Sequence, residues 1–223
     1  MTAPLRDVVV IGGSAGAVQP LLTMLAQLPP DLPAAVAITL HRPPTTASSL
    51  AQVFARRSAI EVIEPRDGER FTAGRVYLAP QDLHMSITRT TIRLSRTPRQ
   101  HHTRPAIDPL FVSAAESCGD RVVGTLLTGN LSDGVSGLIR IKERGGISLV
   151  QDPRQAQFPS MPLNALIYDH VDLVLQTRVL AAVIAGLVRG ATVDAISRTE
   201  GARRARAADT GAPSWLPRGH RLR

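Results

Sequence analysis

The stretch VVVIGGSAGA, residues 8–17, places four β-branched residues directly before a glycine-rich turn. An unbroken apolar run of this kind, without polar alternation, fits a strand buried on both faces, as in a parallel sheet covered by helices. After the turn, Val18, Leu21, Leu22, Leu25 and Leu28 recur at helical spacing until Pro29-Pro30 ends the pattern. Strand, tight turn and helix form the opening unit of an α/β fold.

The alternation continues along the chain. Residues 34–40 form a second apolar strand ending at His41, and residues 46–57 read as a helix. Between about 61 and 95, four short apolar runs separated by turn material such as Asp67-Gly68 and Pro80 read as small antiparallel strands or hairpins. From residue 108 onward, helix and strand signals alternate again up to about residue 189. The expected fold class is α/β: a doubly wound, mostly parallel sheet with helices on both faces and an antiparallel hairpin region at about 61–95. The expected organisation is one catalytic domain over 1–195 and a flexible Arg-rich tail over 196–223.

Bulk composition narrows the class. With 223 residues and 43% hydrophobic content, one substantial core can form, and 3% aromatics make that core aliphatic. No apolar run approaches the ~18 residues of a membrane span, and the N-terminus lacks a signal-peptide layout. The lone Cys118 rules out an internal disulfide framework and suits a reducing cytoplasm; its setting reads as a small buried hydrophobe. The net charge of +8 invites a nucleic-acid reading, but seven arginines against two acids after residue 196 carry five of those charges. Aromatic residues interleaved with the basic ones are missing, so no dedicated nucleic-acid site is expected.

Gly12-Gly13-Ser14-Ala15-Gly16 satisfies G-x-S-x-G at a strand-to-helix turn, the setting that exposes a nucleophilic hydroxyl. Two other readings remain open locally: an anion-binding loop, and a simple helix N-cap. The dinucleotide fingerprint fails because Ser14 and Ala17 stand where glycines are needed, and a P-loop fails for want of a lysine. A serine needs a base, and His41 ends the neighbouring strand at what should be the same carboxyl edge; His84 is its main competitor. An orienting carboxylate is supplied by Asp133, just beyond the strand at 122–127, although it also reads as an N-cap for the helix that follows. Asp108 and Asp152 are weaker alternatives.

Taken in order, "GGSAGA", "TLHRPP", "DGERFTAGRVYLAPQDLHM", "RPAIDPLF", "LLTGNLSDGVSG" and "MPLNALI" resemble the catalytic domain of chemotaxis protein-glutamate methylesterases (CheB-type), over residues 7 to 189. The resemblance implies a Ser14-His41-Asp133 triad. It also implies hydrolysis of glutamate γ-methyl esters on the cytoplasmic helices of methylated chemoreceptors, often with deamidation of receptor glutamines. No cofactor and no metal is implied.

Several positions depart from the family pattern. Ala15 and Ala17 replace a threonine and a glycine at the turn, Arg42 replaces a methionine after the histidine, and Asn130 stands at another usual methionine. Backbone N–H groups at Ala15 and Asn130 are the expected oxyanion donors. Arg42, with Arg99 and Arg104, is expected near the entrance, where two readings stand open: ordinary solvated arginines, or a set that steers an acidic helix. Members usually carry a receiver domain ahead of the catalytic one; this chain is expected to act without it. A second reading, prompted by Ala15 and Asn130, is a catalytically weakened relative serving as a protein-interaction module in a signalling assembly.

Overall fold

The computed structural model of the chain describes residues 6–42, 49–168 and 171–199. Seven parallel strands form the central sheet, in the order β3 (Glu61–Ile63), β4 (Arg75–Leu78), β2 (Ala35–Leu40), β1 (Val8–Gly13), β7 (Val122–Leu126), β8 (Ile147–Gln151), β9 (Leu173–Leu175). The chain first winds outward on one side of β1 and then crosses to the other side at β7. Between β1 and β7 the winding direction reverses, which opens a crevice outside the carboxyl ends of these strands.

Strand β1 shows why the opening run lacks alternation. Val9 and Ile11 enter one hydrophobic cluster with helices α1 (Val18–Leu25), α2 (Leu50–Ala55) and α6 (Thr177–Val188). Val8 and Val10 enter the other, with α3 (Ile107–Cys118), α4 (Val135–Glu143) and α5 (Ser160–Tyr168). Successive side chains point to opposite faces, and both faces are covered, so every position is apolar. Cys118 lies buried in the second cluster, and burial pushes its thiol up.

The hairpin region is smaller than its turn residues suggest. Among the described strands, β5 (His84–Ile87) and β6 (Ile92–Ser95) are the pair that runs antiparallel, while β3 and β4 join the parallel sheet. The turn at Asp67-Gly68 does not close a hairpin between β3 and β4; Gly68 N–H donates to the Ile92 carbonyl of β6 instead. The β5–β6 ribbon covers the outer side of α3, where Ser113 Oγ accepts from Ile87 N–H at 3.0 Å. Covered on two sides, α3 carries small residues such as Ala114 and Ala115 in its core-facing positions.

The helical signal also runs further than 195. Residues 193–199 are helical, with Val193 and Ile196 packed against the first cluster. The rest of the Arg-rich segment, residues 200–223, lies outside the described residues, as do 43–48.

Helices α3 and α4 meet closely because Gly137 has no side chain. A Cβ built there would lie 2.4 Å from Phe111 Cβ and 3.1 Å from Asp108 Oδ1. Phe111 Cβ cannot retreat without moving the α3 backbone. Gly137→Ala should therefore lower the unfolding free energy by about 1–3 kcal/mol in chemical denaturation, despite alanine's better helix propensity.

Candidate active site

Ser14 follows β1 directly. In the β1–β2 register Gly13 faces Leu40, and His41 N–H donates to the Gly13 carbonyl at 3.2 Å. Continued by one residue, that register brings Ser14 opposite His41, about one inter-strand spacing of ~4.8 Å away. On the other side, Ser14 N–H donates to the Thr128 carbonyl at 3.0 Å, which ties the turn to the end of β7. Gly129 then lets the serine sit down. A Cβ at Gly129 would lie 2.8 Å from Ser14 Cβ and 2.7 Å from Met161 Cε.

His41 Nε2 lies 2.6 Å from Asp133 Oδ2, with the imidazole side chain 17% exposed and the carboxylate 1%. Asp133 is a capping residue, but for α3 rather than for the helix that follows it in sequence. Ile107 N–H donates to Asp133 Oδ2 at 2.7 Å and Asp108 N–H donates to Oδ1 at 3.0 Å. No side chain near Ala106 caps α3, so the carboxylate at residue 133 fills that place from a distant segment. Burial opposes the charge on Asp133; the bonds from His41 and the two amides outweigh it and hold the carboxyl below its ordinary value.

The same exchange runs in reverse. Gly134, the residue ahead of α4, offers no side-chain cap, and Asp108 Oδ1 accepts from Gly137 N–H at 2.8 Å. Each helix thus receives a carboxylate from the start of the other. Burial and the charge of Asp133 push the Asp108 carboxyl up. His101 Nε2 lies 3.0 Å from Asp108 Oδ2, a contact that sequence reading does not reveal. The signal available was the spacing of His101 and Asp108 on either side of "RPAI", which says nothing of contact until the loop is folded.

Other expected residues fall elsewhere. His84 is buried, with Nδ1 accepting from Ala106 N–H and Nε2 donating to the Pro98 carbonyl, both at 3.2 Å. Burial keeps its ring toward the neutral form, and it braces the loop that leads into α3. Arg42 must be corrected as an entrance residue. Its side chain is only 3% exposed, its Nη1 is 2.8 Å from Glu64 Oε1, and its Nη2 donates to the Ala79 carbonyl. Arg104 is likewise engaged, by Asp82 at 2.9 Å and by the Arg96 and Thr97 carbonyls. Of the three arginines expected to steer a substrate, only Arg99 is exposed. Alternation of strand residues cannot reveal that a charge has been drawn under the sheet edge by an acid more than twenty positions away.

The half-buried Ala15 and the exposed Asn130 flank the serine, and among the described residues their amides donate to no protein acceptor. Ser14 Oγ makes no hydrogen bond to His41, whose Nε2 is held by Asp133; nucleophile–base contacts of this kind tighten in the complex with substrate. For a cation, His101, Asp108 and Asp133 offer ligand atoms within 4.8 Å of one another, yet both Asp133 oxygens and one of Asp108 already accept from backbone amides. These donors fit the protein's own N–H groups better than an ion.

The family model described as CheB methylesterase matches residues 9–184. A protein-glutamate methylesterase/protein-glutamine glutaminase of Pyrococcus abyssi is 36% identical over 178 residues, which is 78% of this chain and 48% of that protein. A putative protein of the same name from Leptospira interrogans serovar copenhageni is 35% identical over 176 residues, covering 78% of this chain and 91% of that protein. The crystal structure of the Thermotoga maritima CheB methylesterase catalytic domain superposes with a TM-score of 0.79 at 29% identity, over 83% of this chain and 100% of that one. The chain spans about half the length of the Pyrococcus relative.

The folded Asp133 carboxyl lies below its ordinary 3.8, so its contribution to stability is fully present above that value and lost as pH falls through the folded value. Asp133→Asn should reduce the unfolding free energy by about 1.5–3 kcal/mol near neutrality. In denaturation curves from pH 7 to pH 2, the gap to the wild type should stay flat above about pH 5 and narrow below 3.8.

Proposed function

This chain belongs to the CheB methylesterase family, and we propose that it is a serine hydrolase of glutamate γ-methyl esters on chemoreceptor helices. The observation that carries the reading is the 2.6 Å bond between His41 and a buried, amide-anchored Asp133 at the strand end beside Ser14. An ionised Asp133 accepts the proton on Nε2, so the neutral imidazole keeps its lone pair on Nδ1. In this reading Nδ1 is the atom that removes the Ser14 proton.

The steps follow from that tautomer. Ser14 Oγ attacks the ester carbonyl while His41 takes its proton, and Asp133 stabilises the imidazolium. The amides of Ala15 and Asn130, free of protein acceptors, supply hydrogen bonds to the oxyanion; a missing donor typically costs about 2.7–4 kcal/mol of transition-state stabilisation. His41 returns the proton to the departing methoxide, and methanol leaves an acyl-serine. Water, deprotonated by His41, then attacks the acyl group; Oγ regains its proton and the receptor glutamate is released. A glutamine side chain offers the same carbonyl with ammonia as the leaving group, and forms the second substrate class. The chemistry runs on side chains and backbone amides alone.

The substrate in this reading is a protein helix reached from the cytoplasm. No helix among the described residues is long and apolar enough to cross a membrane. The apolar side chains of Leu131, Leu163 and Ile167 are exposed beside the site, with Asn164 Nδ2 donating to the Leu131 carbonyl at 2.8 Å. They suit contact with the apolar flank of a helix better than recognition through arginine.

Methanol release from methylated chemoreceptor membranes tests the proposal. The wild type should turn over, Ser14→Ala should lose about 10⁴–10⁶-fold in kcat, and Asp133→Asn about 10⁴-fold. A folded wild type that binds the receptor helix and releases no methanol would instead favour an interaction module.

A further inference from the structure

Behind Asp133 stands a second imidazole–carboxylate pair that the three-residue mechanism does not use. His101 Nε2 donates toward Asp108 Oδ2 at 3.0 Å and also lies 3.8 Å from Asp133 Oδ1. Asp108 is held at both ends: its Oδ1 accepts from Gly137 N–H, and its own N–H donates to Asp133 Oδ1. His101 sits at the tip of a tight loop closed by reciprocal bonds between Gln100 and Thr103, with a backbone φ of 49°. The loop therefore presents one imidazole to two buried carboxylates.

Two anions with oxygens inside 4.8 Å repel each other, and burial limits what water can do about it. An imidazole that faces both relieves that repulsion, and relieves it further when protonated. We infer that His101 and Asp108 are positioning residues for Asp133, and that together they set the negative charge that Asp133 presents to His41. The inference rests on the Ser14-His41-Asp133 reading above. It adds that the proton inventory of the site belongs to two coupled pairs, His41–Asp133 and His101–Asp108.

The other charged groups around this cluster are accounted for. His41 directly follows β2, and His84 from β5 has both ring nitrogens on backbone groups. Asp82 holds Arg104, while Arg99 and His102 are exposed in the same loop region. On α4, Arg140 pairs with Glu116 and Glu143. His101 is the remaining imidazole facing both Asp108 and Asp133.

The signs are opposite for the two residues. Replacing His101 by glutamine removes a side chain that can carry positive charge toward both carboxylates, so the unopposed carboxylates hold the His41 proton to higher pH. Replacing Asp108 by asparagine removes a negative charge while its amide oxygen can still accept from Gly137, so His41 releases its proton at lower pH.

The experiment is an NMR titration of the His41 ring in the full chain, beside the pH dependence of kcat/KM for a glutamyl γ-methyl ester. His101→Gln should raise the His41 midpoint and the acid limb by roughly 0.5–1 pH unit, and Asp108→Asn should lower both by a similar amount. KM should stay near the wild-type value in each. If Asp108→Asn does not fold, His101→Lys, a fixed positive charge at an accessible position, must lower the midpoint instead. Variants that leave the midpoint unmoved, or move it in one common direction, overturn the inference. A wild type without methanol release defeats the hydrolase reading alone, because the His41 titration is read without turnover.

Discussion

The site depends on where one buried carboxylate is held. Asp133 accepts from the first two amides of α3 and from the His41 imidazole, and all three donors approach two oxygens that water barely reaches. Charge-assisted bonds of this kind are shorter and stronger than neutral ones, and the helix N-terminus adds a favourable dipole. Losing any one of them leaves a buried charge short of donors, which is far more damaging than losing an exposed ion pair.

That arrangement needs α3 and α4 to be fixed against each other, and the sequence supplies both a brace and a clearance. The brace is the mutual exchange of caps: Asp133 to α3 and Asp108 to α4. The clearance is Gly137, which admits Phe111 and the Asp108 carboxylate to the α4 backbone. One consequence joins stability to chemistry. The bonds that hold the helix starts together also aim the imidazole, so the site is rigid without any disulfide and with Ser14 on a short turn between β1 and α1. Because the β5–β6 ribbon closes the far side of α3, that helix cannot tilt away from Asp133 without exposing Met85, Ile87 and Phe111.

Local pattern made the central sheet readable wherever the chain follows its own periodicity. Residues 8–13, 35–40 and 122–126 are buried at every position because helices cover both of their faces, and Thr39 and Thr125 are the two polar side chains among them. Strands β3 and β4 were harder. They are three and four residues long, and nothing in a segment that short distinguishes a parallel edge partner from a hairpin arm. The partner of β3 is β4 and the partner of β4 is β2, a choice made by the sheet edge rather than by the turn between them. Val193 and Ile196 escape notice for a similar reason, since two apolar residues in a short segment of small and polar ones show no period.

The sequence by itself determined the order of the elements, the crevice at the carboxyl ends of β1 and β7, and the residue types offered there. These follow from hydrophobic period and turn chemistry, which act over a few residues and survive without knowledge of neighbours. Only the tertiary structure decided the partners. Asp133 caps α3 instead of the helix after it, Arg42 is drawn inward to Glu64, and His101 reaches the carboxylates from a loop. Each of those outcomes is a contact between segments distant in sequence. The energy of such a contact depends on burial and on competing donors, and these quantities exist only once the chain has packed.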